Sequence, residues 1–324
     1  MQIPFDLNTD QLKTYFGTNP KPDDFDDFWK EALFERDKIQ LNMEIKKADF
    51  ECQIANCYDL YFTSTKNVKV HTKMLVPKDK KVHPCIIKFH GLGGNCGEWT
   101  TLLPFVSEGY SVFAMDCRGQ SGSSEDAFFG SCNYSTSFLT RGVVDALNGN
   151  YKNLYYRDVF LDCYTLYKII TTFENVDKDR IGVTGISQGG GLTIALASLV
   201  PQIKCAAPVY PYLSDYQRVW ELDLAHEAYE GINEFFRNFD PHHKKEAEFF
   251  NILGYIDVKN MAERIKAKVL FTSGLKDTIC PPSTQFAIYN RMKCEKELNL
   301  FHDFNHEALL NINDEIFYFF RNNL

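Results

Sequence analysis

The sequence lacks several features that would assign it to a class at once. It has no excess of positive charge: 35 Lys and Arg against 43 Asp and Glu give a formal net charge of -8. Binding to a phosphate backbone needs a basic face, so nucleic acid is not expected as a partner. No hydrophobic run approaches the roughly 18 residues needed to cross a bilayer. The longest, such as residues 205–212 and 316–320, fall far short, so no membrane association is expected. The opening residues 1–6 carry neither the basic nor the apolar stretch of a secretory signal. The ten cysteines form no CxxC and stand in no zinc-finger spacing with histidine. Scattered thiols without an export signal fit a reducing compartment, so a cytoplasmic protein with free cysteines is the expectation. No repeat, low-complexity tract or Pro/Gly/Ser linker divides the chain.

What is present is material for a large core and a regular order of elements. Of 324 residues, 44% are hydrophobic and 15% aromatic. Strand-like and helix-like segments alternate from about residue 60 to the end. That order predicts an α/β fold with a mostly parallel central sheet and helices on both faces. Residues 1–324 form a single domain on this view, with 1–50 as an N-terminal helical extension. Within it, residues 23–35 place Phe25, Phe28, Trp29, Ala32 and Leu33 on one helical stripe, with acidic residues in the first turn. Residues 58–63 and 69–76 are expected as antiparallel strands at the sheet edge. Residues 85–89, 111–115, 180–184, 205–209, 268–272 and 297–301 are expected as the inner strands, and 156–173, 190–199 and about 308–321 as helices.

In open α/β sheets the active site gathers at the carboxyl ends of the strands. Gly185-Ile186-Ser187-Gln188-Gly189 follows one such strand and opens a helix of small residues. This G-x-S-x-G spacing puts a serine on a sharp, strained turn, where Gly185 and Gly189 allow close packing. Ser187 is the candidate nucleophile, and it needs a base. His226, His242 and His243 lie in charge-rich sequence and are taken as surface residues. His302 directly follows the last strand; His306, in the loop beyond, is the favoured base. Asp277, just past the strand at 268–272, is preferred as the acid over Asp303. The Gln188 and Leu92 N–H groups are the expected oxyanion donors, Leu92 lying in His90-Gly91-Leu92-Gly93-Gly94 after strand 85–89. Arg118-Gly119-Gln120 is read as mainly supporting the site, with a direct contact from Arg118 to substrate left open.

These residues together resemble carbohydrate esterase family 7, the acetyl xylan esterase and cephalosporin C deacetylase group of the α/β-hydrolase superfamily. The likeness rests on Arg118-Gly119-Gln120, Gly185-Ile186-Ser187-Gln188-Gly189 and His306-Glu307, in that order. Residues 24–29, 153–162 with Tyr155-Tyr156-Arg157, and 277–284 also look like family segments. The resemblance implies an α/β-hydrolase fold, a Ser187–Asp277–His306 triad and an oxyanion hole of backbone N–H groups. It implies removal of acetyl groups from small esters, such as acetylated xylo-oligosaccharides or cephalosporin C. It implies no metal or organic cofactor, and a ring-shaped hexamer that admits only small substrates. One position departs from the pattern: Leu92 stands where the family commonly has Tyr. Two other readings remain, a serine peptidase of the prolyl-oligopeptidase type and a non-catalytic hydrolase-fold binding protein.

Overall fold

The computed structural model describes residues 3, 5–79, 81–127 and 137–324. Nine strands form one sheet: β1 (Met43–Lys47), β2 (Ala55–Thr63), β3 (Lys69–Pro77), β4 (His83–Phe89), β5 (Ser111–Met115), β6 (Val176–Ile186), β7 (Cys205–Val209), β8 (Lys268–Gly274) and β9 (Lys296–Phe301). Their spatial order is β1-β2-β3-β5-β4-β6-β7-β8-β9. The first three strands pair antiparallel, as does β3 with β5. From β5 to β9 every pairing is parallel.

Two apolar faces on one strand explain the layers. In β4, Cys85, Ile87 and Phe89 enter one hydrophobic cluster, while Ile86 enters a second. In β5, Phe113 and Met115 join the first cluster, and Val112 and Ala114 the second. A strand apolar on both sides must be covered on both sides. The helices Tyr155–Ile170 and Gln188–Leu199 cover the first face, and Leu103–Ser107 and Ile312–Asn323 the second. This is the α/β-hydrolase arrangement expected from the sequence. The helix Phe25–Asp37 is also where its stripe places it, with Phe25 and Trp29 fully buried and Trp29 Nε1 donating to Tyr255 O at 2.9 Å.

One region differs from expectation, and another carries elements that the sequence reading had not assigned. The N-terminal extension is not helical to residue 50, because β1 joins the sheet edge there. Met43-Glu44-Ile45-Lys46 alternates apolar and polar residues, but all five residues of β1 are exposed, and its pairing with β2 places it at the edge. Between β7 and β8, the polar stretch around His226–His243 holds the helices Glu230–Asn238 and Glu246–Leu253. They are held by Phe235, Phe236, Phe249 and Phe250, all buried. Nine cysteines are free thiols; Cys132 lies outside the described residues.

Buried polar contacts fasten the extension to the body. Asp215, fully buried, accepts from Tyr15 Oη at 2.7 Å and from the Thr18 and Asn19 N–H groups at 2.9 and 2.8 Å. Lys259 Nζ donates to Asn19 O at 2.6 Å and to Asp257 at 2.9 Å.

His71 in β3 joins three strands or strand ends. Its ring nitrogens lie 2.7 Å from Asp116 Oδ2 and 2.9 Å from Asp59 Oδ1. Both nitrogens are thus committed to carboxylates, so Cys96, though close to His71 and Asp116, does not complete a metal site with them. Burial by itself would lower the His71 pKa, but Asp116 and then Asp59 outweigh it and raise it above 6.5. A histidine whose pKa is raised on folding stabilises fully below its unfolded value and loses that contribution as pH rises through the folded value. Stability should therefore decline from about pH 6.5 upward in the wild type. In His71→Gln that decline should flatten. Denaturant midpoints between pH 6 and 9 measure it, and parallel pH profiles for the two proteins would exclude the contribution.

Candidate active site

Because β4, β5, β6, β8 and β9 are parallel, their carboxyl ends share one edge of the sheet. The loops after them carry the residues singled out in the sequence. Ser187 sits between β6 and the helix Gln188–Leu199 with φ 58° and ψ −116°, a strained left-handed backbone for a serine. The turn is held by hydrogen bonds of 3.0 Å: Ser187 N–H donates to Val209 O, and Ser187 O accepts from the Gly191 and Tyr212 N–H groups. A Cβ on Gly189 would lie 2.3 Å from Phe89 O, and one on Gly185 2.5 Å from the Gly189 backbone. Glycine is the residue both positions require. Ser187 remains half-buried, open enough to meet a ligand.

Asp277, three residues past β8, is fully buried. Its Oδ1 accepts from the Ile279 and Cys280 N–H groups at 2.9 and 2.7 Å. Its Oδ2 accepts from Gln285 Nε2 at 3.2 Å and lies 2.9 Å from His306 Nδ1. The carboxylate is therefore fixed before it fixes the imidazole. The His306 ring packs against Tyr210, with centroids 4.5 Å apart. Tyr210 directly follows Val209, whose carbonyl receives the Ser187 N–H. Cys280, buried beneath, has its Sγ within 4.8 Å of ligand atoms of both Asp277 and His306. Burial pushes its thiol well above the usual range. By residue type, Asp277, Cys280 and His306 could hold a metal ion. With both carboxylate oxygens already taken, the set is built to orient an imidazole.

The competing candidates lie elsewhere. Asp303 is exposed and pairs with Lys276 at 2.8 Å. His302, His226, His242 and His243 are exposed; His243 pairs with Glu246 at 2.7 Å. Glu307 is exposed too. Its Oε1 accepts from the Asn305 N–H at 3.1 Å, and its carbonyl from Tyr210 Oη at 2.9 Å.

Gln188 opens its helix, so its N–H has no intrahelical acceptor and faces the positive end of the helix dipole. Neither this N–H nor that of Leu92 is used by another group among the described residues. The Leu92 side chain is partly buried against the first core cluster. The loop carrying it is tied down by the Gly93 N–H, which donates to Gln120 Oε1 at 2.8 Å. The side-chain amides of Gln120 and Gln188 pair at 2.8 and 3.1 Å. Tyr156 Oη donates to Gln188 Oε1 at 2.8 Å, and Gln120 Nε2 to Tyr155 Oη at 3.0 Å. Gln120 thus joins the loops after β4, β5 and β6.

Arg118 is buried. Its side chain is 2% exposed and grips Asp162 through Nε at 2.6 Å and through a second nitrogen at 2.5 Å. Burial would lower its pKa, but Asp162 outweighs this and raises it. The Arg118 nitrogens are taken by Asp162 and by Thr65 Oγ1 at 3.0 Å. Gly119, at φ 66°, turns the chain between Arg118 and Gln120. Sequence reasoning missed Tyr210, Gln285, Asp162, Cys280 and Asn305. Only Cys280 and Asp162 lay in segments noted for their likeness, and nothing in the sequence gave any of the five a role.

The family model for acetyl xylan esterase (AXE1) matches residues 1–324. Acetyl xylan esterase 1 from Thermoanaerobacterium sp. JW/SL YS485 is 43% identical with a TM-score of 0.95, over 97% of this chain and 98% of that one. An acetyl xylan esterase from Paenibacillus sp. R4 is 34% identical with a TM-score of 0.93, over 98% of this chain and 100% of that one. Acetyl esterase Axe7A of Xylanibacter ruminicola is 27% identical over 292 residues. That match takes in 88% of this chain but 63% of the relative, so this chain spans less than two thirds of that protein's length.

Proposed function

Because this chain belongs to the acetyl xylan esterase family, we propose that it is a serine esterase that removes acetyl groups from small esters and acetylated sugars. Two observations support this reading: the fixed Asp277–His306 pair at 2.9 Å, and a serine held on a strained turn at the same carboxyl edge of the sheet. Ser187 Oγ attacks the acetyl carbonyl while His306 accepts its proton. Asp277 holds the imidazole and stabilises its charged form. The Gln188 and Leu92 N–H groups take the oxyanion. His306 returns the proton to the departing alcohol. Water, deprotonated by the same histidine, then releases acetate from the acyl-enzyme.

Acetylated xylo-oligosaccharides are the proposed natural class, with cephalosporin C as a substrate of the same chemistry. The names of the similar proteins support acetyl esters. Rejection of large substrates would follow from the ring-shaped hexamer that the resemblance implies. The test is acetate release from acetylated xylo-oligosaccharides, with p-nitrophenyl acetate and butyrate run in parallel. Release from the sugars and the acetate ester, with little from butyrate, is expected. Equal hydrolysis of both nitrophenyl esters with the sugars untouched would remove the carbohydrate assignment. Cleavage of a peptide instead would favour the peptidase reading.

A further inference from the structure

The loop that carries His306 has little structure of its own. Residues 302–311 contain no helix or strand, and His302, Asp303, Asn305, Glu307 and Ala308 are exposed. Yet the imidazole must stay within a fraction of an ångström of its working position. The Asn305 side chain lies where that order can be imposed. Its Oδ1 accepts from the Thr278 N–H at 2.9 Å, from Thr278 Oγ1 at 3.4 Å and from the His306 N–H at 2.8 Å. Three donors converging on one atom require the amide oxygen there, since an NH₂ group could accept from none of them. Thr278 directly follows Asp277, and Asn305 directly precedes His306. The contact between 278 and 305 is thus a second rung beside the Asp277–His306 bond. The Lys276 N–H, donating to Phe304 O at 3.0 Å, adds a third.

We infer that Asn305 is a positioning residue for the reaction, clamping the base loop to the acid loop so that Asp277 and His306 move as one unit. The inference rests on the Ser187–Asp277–His306 reading above. Without Asn305, the Thr278 and His306 N–H groups turn to water, which is at hand because the loop is exposed. The fold then loses little, and the loss falls on the alignment of the imidazole.

The test compares Asn305→Ala, Asn305→Asp and His306→Ala with the wild type on p-nitrophenyl acetate. Asn305→Ala should lower kcat by about 10- to 100-fold, the scale of a small misplacement of a catalytic group. KM should stay within about twofold and Tm within about 2 °C, because neither the ester site nor a buried contact is removed. Asn305→Asp keeps an acceptor oxygen for all three donors and should recover kcat to within about threefold of wild type. A wild-type kcat for Asn305→Ala beside an inactive His306→Ala would overturn the inference and leave the triad intact. Asn305→Asp as slow as Asn305→Ala would overturn it as well. Full turnover by His306→Ala would instead overturn the triad from which the inference starts.

Discussion

Ser187→Ala should lower turnover of p-nitrophenyl acetate by on the order of 10⁶, the loss typical of removing a triad nucleophile. The size follows from what the hydroxyl does in the proposed reaction. Without Oγ no acyl-enzyme forms, and the oxyanion donors can assist only direct attack by water. The substitution is also mild for the fold, since alanine retains the Cβ and removes only an oxygen. Labelling by a fluorophosphonate probe should disappear together with activity, while the thermal midpoint stays near that of the wild type. A folded Ser187→Ala protein that keeps turnover would remove the serine esterase reading. A wild-type protein left unlabelled would point to a hydrolase fold used for binding.

The largest effect on stability is expected at Arg118. In Arg118→Met, Asp162 loses both of its guanidinium bonds while remaining fully buried. Burial already pushes the Asp162 carboxyl above its usual range, and Arg118 is the main influence acting the other way. Once the guanidinium is gone, the carboxyl is left to take up a proton or stand as an unpaired buried charge. Breaking a buried pair on one side costs about 3–5 kcal/mol, and at this chain length that lowers Tm by on the order of 10 °C. Adding Asp162→Leu should restore much of the loss, because removing both charges is far cheaper than removing one. Differential scanning calorimetry of the three variants gives the result. An unchanged Tm with a raised KM in Arg118→Met would mean that the arginine meets substrate after all.

The inner strands were legible in the sequence because a buried parallel strand needs a short apolar run, and residues 85–89, 111–115 and 205–209 supply one each. The strained turn at Ser187 was legible because it is local. Its strain, its two glycines and the helix behind it all lie within a few residues. β1 was passed over although Met43-Glu44-Ile45-Lys46 alternates apolar and polar residues, because so short an alternation at the end of a helical extension is a weak signal. The helices between β7 and β8 were not assigned, because their buried Ile232, Phe235, Phe236, Phe249, Phe250, Ile252 and Leu253 are interleaved with many charged residues.

For the site, the sequence by itself determined which residue types arrive at the carboxyl edge of the sheet: a serine after β6, an aspartate after β8, a histidine after β9 and a glycine-rich loop after β4. Which of them meet was decided only by the tertiary structure. Asp277 and His306 are 29 residues apart, while the rival Asp303 lies in the same loop as His306, and spacing along the chain cannot choose between them. Arg118 shows the same division. Its five donors fit a substrate carbonyl as well as a carboxylate, and only the arrival of Asp162, 44 residues on, turned it into the core. Asn305, Gln285 and Tyr210 had no signal at all. A single side-chain hydrogen bond or ring contact across loops leaves no periodicity in a sequence, because it depends on one atom reaching one partner after the sheet has already brought the loops together.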